Sequence, residues 1–383
     1  MRSRFPCRST SGQRSRRAIN RTFASALFLL SLLFVCNCVG AQIPDQSQKA
    51  TPSLQQRAAL GITTLQSWFD PATGLYRTTG WWNSANAITT VADYTRVTDD
   101  RQFAGVFPIA FSAAQKTSPG FLNNYYDDEG WWALAWIDVY DITHERRYLD
   151  MAVSIFADMT TGWDETCSGG IWWSKDRKYK NAIANELFLS LAAHLAARSS
   201  DKKKRARYLD WAAREWKWFA NTGMINADHQ INDGLDAKCA NNQKTTWSYN
   251  QGVVLGGLAE LYVQTHDEKM LDEANAIAAA TLTSPALLDK QGVLHEPCEP
   301  DCGADGTQFK GIFMRNLAAL YRIAPSASYK DFVVKNADAV WKQMRARKYE
   351  IKTSWTSPYG EANASTQSSG LDALVAAAAV AAH

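Results

Sequence analysis

Residues 123–159 read NNYYDDEGWWALAWIDVYDITHERRYLDMAVSIFADM. The stretch WWALAWIDVY at 131–140 is apolar on every side, the mark of a helix buried all round. Beyond it, Tyr148, Leu149, Ala152, Phe156 and Met159 recur at helical spacing, while Glu145, Arg146, Arg147, Asp150 and Asp158 face the other way, so 145–160 predicts an amphipathic helix. The turn Thr143-His144-Glu145 ends the first helix and supplies cap residues for the second. A buried helix joined to a half-buried one cannot cover its own apolar surface, and copies of it must stack.

Five more segments repeat the pattern of an aromatic or polar cluster running into an apolar stretch. They start at Trp81-Trp82-Asn83, Asn181 to Glu186, Trp247 to Gln251, Phe309 to Phe313 and Ser365 to Gly370. Short polar turns follow most of them, TDD at 98, SSD at 199, THD at 265 and PSAS at 325. With Ser53–Trp68 as the first outer helix, the chain is all-α, with twelve helices alternating outer and inner. The outer-to-inner connections are long, roughly 69–80, 117–129, 162–180, 222–246, 285–308 and 346–364, and the return turns are short. All the long loops therefore gather at one end of an (α/α)6 barrel of six inner and six outer helices. Long connections in a compact domain are usually functional, which puts a site at the inner-helix N-termini. An open α-solenoid is the alternative. Gly256-Gly257 and the many alanines allow close helix approach.

The chain of 383 residues carries 41 Lys+Arg against 38 Asp+Glu, but Arg2, Arg4, Arg8, Arg14, Arg16, Arg17 and Arg21 precede any acidic residue. They lead into an apolar run from Phe23 to Val39 and the small residues Val39-Gly40-Ala41, the architecture of a secretory signal peptide over 1–41. An uncleaved anchor is the alternative reading. Removal leaves a mildly acidic domain over 43–383, without the basic surface that nucleic acid or anionic lipid would require. Cys7, Cys36 and Cys38 leave with the leader. The remaining four predict two disulfides, Cys298 with Cys302 across a tight turn and Cys167 with Cys239 between loops. The alternative is a four-cysteine zinc site.

Asp127 and Asp128 stand together at the mouth of a buried helix, among aromatics. Glycoside hydrolysis uses two carboxylates, one as nucleophile or base and one as acid. Repulsion between neighbours raises one pKa while the other stays low. Simple helix capping by the acidic run is the bland alternative. Sugar rings offer apolar faces and hydroxyl edges, so platforms and amides are sought at the same end. The candidates are Trp82, Asn83, Asn86, Tyr126, Trp131, Trp173, Lys175, Asn185, Glu186, Trp247, Tyr249, Asn250, Gln251 and Lys310. Trp211, Trp216 and Trp218 lie within an outer helix and are expected to pack. No HExxH, Walker loop or GxSxG occurs, so no metal or cofactor is expected.

The segments NNYYDDEGWWALAWIDVYDIT, WWNSANAITTVADY, GGIWWSKDRKYKNAIANELF, WSYNQGVVLGGLAELY and QFKGIFMRNL together resemble glycoside hydrolase family 76, the endo-α-1,6-mannanases and related wall transglycosidases. The resemblance covers nearly the whole mature chain. It implies an (α/α)6 barrel, a metal-independent retaining mechanism on α-1,6-linked mannan or manno-oligosaccharide, Asp127 as nucleophile and Asp128 as general acid/base. A mannan transglycosidase and a non-catalytic mannan-binding protein remain the other readings. A secreted monomer is expected.

Overall fold

The computed structural model describes residues 51–382. The expected leader 1–41, its three cysteines and residues 43–50 lie outside the described residues. Among those described, twelve α-helices follow one another: α1 Leu54–Gln66, α2 Trp81–Thr98, α3 Val106–Ala113, α4 Tyr126–Thr143, α5 Arg146–Met159, α6 Ala182–Ala197, α7 Lys202–Phe219, α8 Ser248–Thr265, α9 Glu268–Thr281, α10 Phe309–Ile323, α11 Ala327–Arg345 and α12 Ala364–Ala381. The even-numbered helices form the inner ring. Each packs on the next, and α12 returns to α2, closing the barrel. A two-stranded hairpin, β1 Phe69–Asp70 with β2 Leu75–Tyr76, is the only named sheet among the described residues. No described helix is long and apolar enough to cross a membrane.

The inner helices are buried nearly all round, as α6 shows from Ala182 to Ala193. In α5, Tyr148, Leu149, Ala152, Phe156 and Met159 are buried together with Ile155. Three of the five inner-to-outer returns share one device. Asp99, His144 and His266 each take the left-handed conformation after α2, α4 and α8, and the hydroxyls of Thr98, Thr143 and Thr265 accept the N–H two residues on. Asp, Asn and His tolerate that conformation better than most residues.

The barrel is also held at its long-loop end by a repeated clasp. The fourth residue of five inner helices accepts a backbone N–H from the incoming loop. Ser84 takes Tyr76 at 3.1 Å, Glu129 takes Asn123 at 3.1 Å, Asn185 takes Ile171 at 2.7 Å, Gln251 takes Ile231 at 2.8 Å and Gln367 takes Ile351 at 2.9 Å. The amides of Asn185 and Gln251 also donate back to the same isoleucine's carbonyl. A buried loop must satisfy its peptide groups somewhere, and these side chains imitate a strand partner.

Gly257 lies against Ser190 of α6 and Gly256 against the Asn316 side chain of α10, while the tightest approaches to another helix's backbone fall elsewhere. A Cβ on Gly252 would stand 2.6 Å from Phe313 Cα, and one on Gly311 would stand 2.5 Å from both Cα and the carbonyl oxygen of Ser369. Backbone cannot yield as a side-chain tip can. Gly311→Ala is therefore expected to destabilise the protein by about 1–3 kcal/mol through forced separation of α10 and α12. Chemical denaturation measures it; an unchanged midpoint would remove the close-approach argument.

Both expected disulfides are formed, Cys167–Cys239 and Cys298–Cys302. They tie loops at the same end as the clasps, the first joining the loop before α6 to the loop before α8.

Candidate active site

Each Trp-Trp pair at the start of α2 and α4 is split by the 100° step between helical neighbours. Trp81 and Trp132 turn toward the outer layer, with ring centroids 5.0 Å apart, and Trp132 stacks on Trp136 in a column that reaches Tyr148 of α5. Trp82 and Trp131 turn to the mouth of the barrel and stack on each other at 5.6 Å. Tyr249 of α8 lies 3.8 Å from Phe309 of α10, nearly parallel, and 6.5 Å from Trp131. These rings help line a cleft of about 510 Å³ together with Tyr125, Asp127, Asp128, Trp173, Tyr179, Asn181, Asp233 and Asp305. Two other hollows, of about 450 and 890 Å³, lie beside Trp355 and beside the Cys167–Cys239 disulfide, and neither holds paired carboxylates.

Asp127 and Asp128 occupy the first turn of α4. Both oxygens of Asp127 are engaged by donors: Trp173 Nε1 reaches Oδ2 at 2.9 Å and the Asp128 N–H reaches Oδ1 at 3.1 Å. In Asp128 only Oδ2 is engaged, by Asn123 Nδ2 at 2.6 Å. Burial, then the charge of Asp128, pushes Asp127 well above the usual carboxylate range against the pull of Trp173. Burial raises Asp128 to about 6, with Asn123 opposing it and Asp305 adding to it. The expectation that one carboxyl stays low is therefore not met, because the cleft floor desolvates both. Such a pair titrates as a unit. Hydrogen bonding nevertheless separates its members. Asp127 accepts twice and is arranged as an anion, whereas Asp128 keeps one oxygen free to carry a proton toward a ligand.

Of the sequence candidates, the cleft takes Asp127, Asp128, Trp82, Trp131, Trp173 and Tyr249. The other ten do not line it. Asn185 and Gln251 are loop clasps. Asn83 is buried, bonded to Gln308 at 2.9 Å, and Asn86 is bonded to Arg315 and to the Trp82 carbonyl. Tyr126 covers Gly162 and meets Thr161 through its hydroxyl. Lys175 pairs with Glu129 at 2.8 Å and Asp158 at 2.9 Å, tying the start of α4 to α5. Lys310 is buried on Glu299 and the Thr353 carbonyl, over the Trp355 ring. Trp247 precedes α8 and supports Phe309 edge-on at 5.6 Å. Glu186 and Asn250 are wholly buried and have no protein partner for their side-chain polar atoms. Apart from Glu186 and Asn250, the polar residues among the ten serve the loop or the core, a demand that residue type alone does not distinguish from sugar binding. Trp216 and Trp218 are buried, and Trp211 packs edge-on against Trp163 and Phe188.

Six cleft residues lie outside the candidates named above: Tyr125, Asn181, Phe309, Tyr179, Asp233 and Asp305. Tyr179 donates to Asp233 at 2.5 Å, and Trp82 Nε1 donates to Asp305 at 2.9 Å. Asp305 follows the Cys298–Cys302 staple, on which Gly306 packs. Tyr179 and Asp305 stand in the last stretch of a long loop, where position was the available signal, whereas Asp233 stands midway between α7 and α8 and carried none.

Carboxylates set among aromatic platforms at the mouth of an (α/α)6 barrel define a carbohydrate-active enzyme architecture. A sequence profile of glycosyl hydrolase family 76 matches residues 53–382, and the chain belongs to that family. The Candida albicans mannan endo-1,6-alpha-mannosidase DCW1 is 27% identical over 270 residues, 64% of this chain and 59% of the relative; DFG5 of the same organism is 28% identical over 290 residues, 68% and 62%. The chain thus spans about six tenths of the length of these relatives. Among solved structures, an inactive variant of a Salegentibacter α-1,6-mannanase, with two consecutive aspartates replaced and α-1,6-mannotetrose bound, superposes with a TM-score of 0.78 at 21% identity, covering 86% of this chain and all of that one. The Lin0763 protein of Listeria innocua gives 0.75 at 25%, covering 85% and 97%.

Proposed function

We propose that this chain is a secreted, retaining, endo-acting hydrolase of α-1,6-linked mannan. The observation that carries the proposal is the carboxyl pair on the floor of an aromatic cleft, one member fully engaged by hydrogen bonds and the other with a free oxygen. Asp127 attacks the anomeric carbon, with its charge held in place by Trp173 and the Asp128 N–H. Asp128 gives its proton to the leaving oxygen, then removes one from the water that releases the sugar from Asp127. Trp82, Trp131 and Tyr249 present ring faces to the sugars. The names of the fungal relatives and the oligosaccharide bound to the Salegentibacter protein support the substrate class. Two disulfides support an oxidising compartment.

Incubation with unbranched α-1,6-mannan, followed by mass analysis, tests the reading. Hydrolysis yields shorter oligosaccharides with one water added per bond broken, transfer yields products longer than the donor, and binding without turnover yields neither. NMR of the first product must show the α-anomer; initial β-anomer would exclude retention.

The pair works with one proton bound. Burial raises both carboxyls, with the lower of the two at about 6; the pair titrates as a unit, so acidification through that range adds the second proton to the pair and removes the nucleophile. The kcat/KM profile of the free enzyme is expected to fall off below about pH 6, two units higher than ordinary carboxylates would give. An acidic limb near pH 4 would contradict the desolvated pair.

A further inference from the structure

The cleft contains four carboxylates, Asp127, Asp128, Asp233 and Asp305, and no Lys, Arg or His lines it. Basic residues near it are spent elsewhere: Lys175 on Glu129 and Asp158, Lys180 on Asp164, Lys310 on Glu299 and Arg315 on Asp372. Lys244 is exposed, with its ammonium 6.0 Å from the centroid of the Tyr179 ring, and does not line the cleft. Asp233 and Asp305 accept hydrogen bonds from a phenol and an indole, Tyr179 and Trp82. Those donors are neutral and fix the carboxylates without cancelling their charge. Neither residue is needed to attack or to transfer a proton in the reaction proposed above. Toward a neutral sugar they are hydroxyl acceptors; toward an anion they are uncompensated repulsion in a half-enclosed space where screening is weak.

Resting on the mannan-hydrolase reading, we propose that Asp233 and Asp305 make the cleft a charge filter, which admits neutral α-1,6-mannan segments and excludes segments bearing phosphate or carboxylate groups. Discrimination against a partner is often built as repulsion rather than as added attraction. A phosphorylated mannan would then be cut only between its phosphates, or after a reaction that cleaves the phosphoester.

The test uses three α-1,6-manno-oligosaccharides of equal length: unmodified, carrying one phosphate monoester on an internal mannose, and carrying the uncharged dimethyl ester of that phosphate. The monoester is expected to show kcat/KM roughly tenfold or more below the dimethyl ester at low salt. The gap should shrink as ionic strength rises from about 0.01 to 0.5 M, and Asp233→Asn and Asp305→Asn should each narrow it several-fold. Asparagine preserves the acceptor for Tyr179 or Trp82, and only the ratio between substrates is read. Equal rates for monoester and dimethyl ester, or a ratio indifferent to salt and to both substitutions, would overturn the filter. Affinities of the three ligands, followed by tryptophan fluorescence, give the same ratio without turnover. Failure to cleave the unmodified oligosaccharide would sink the hydrolase reading, while the filter stands or falls on that affinity ratio.

Discussion

Asp127→Asn and Asp128→Asn are each expected to lower turnover of α-1,6-mannan by roughly a thousandfold or more, and for different reasons. Asparagine at 127 cannot form the glycosyl-enzyme, and no leaving group, however good, restores it. At 128 it cannot supply the proton, so a substrate whose leaving group needs none, such as a dinitrophenyl α-mannoside, should recover the first step. Azide separates the roles further. Added to the Asp128 variant it should intercept the covalent intermediate and give the α-mannosyl azide; in the Asp127 variant it occupies the place of the missing carboxylate and gives the β-azide. An exchange of these outcomes between the two variants would reverse the assignment. Neither substitution should lower Tm, because burial already penalises both charges and asparagine removes that penalty. A variant that loses activity by unfolding would leave the pair without its proposed role.

That pair was legible because two signals coincided in one stretch: a DD dipeptide at the start of a helix, and the apolar face-all-round pattern that places the helix in the inner ring. The barrel was legible for a similar reason, since six repeats of buried helix, tight turn and amphipathic helix leave few other ways to cover apolar surface. The walls of the cleft were only half legible. A Trp at 81 and a Trp at 82 look alike in sequence, and the helical step decides that the first packs on Trp132 while the second faces the cleft. The amides misled for a physical reason. Asn185 and Gln251 stand at the helix starts nearest the cleft, where the long loops also need partners for buried peptide groups. Asp233 and Asp305 were hidden among loop residues whose approach to the cleft depends on the clasps and the Cys298–Cys302 staple.

Lys180→Met is expected to cost about 3 kcal/mol, although the lysine does not line the cleft. Its side chain is 1% exposed, and its ammonium is caged by Asp164 Oδ1 at 2.9 Å and the carbonyls of Thr166, Gly169 and Gly170 at 2.7, 2.7 and 2.9 Å. Burial pulls its pKa down and Asp164 pulls it up, with burial prevailing. Asp164 is 28% exposed and can turn to water when the lysine is gone. The cost therefore comes mainly from the orphaned carbonyls, each losing a charge-assisted bond. Methionine fills much of the volume, so packing is not the term being removed. A fall in Tm of roughly 5 °C or more should follow. Lys180→Arg should fail to rescue it, because a planar fork does not fit a cage built around a compact ammonium. The same loop carries Trp173, whose N–H is bonded to the Tyr179 carbonyl at 2.8 Å and whose indole holds Asp127. Loosening the cage should thus reduce kcat at temperatures where the variant is still folded, with KM changing less. A Lys180→Met protein with wild-type Tm would show that the cage is solvated rather than structural; one with lowered Tm and intact kcat would uncouple the loop from the nucleophile.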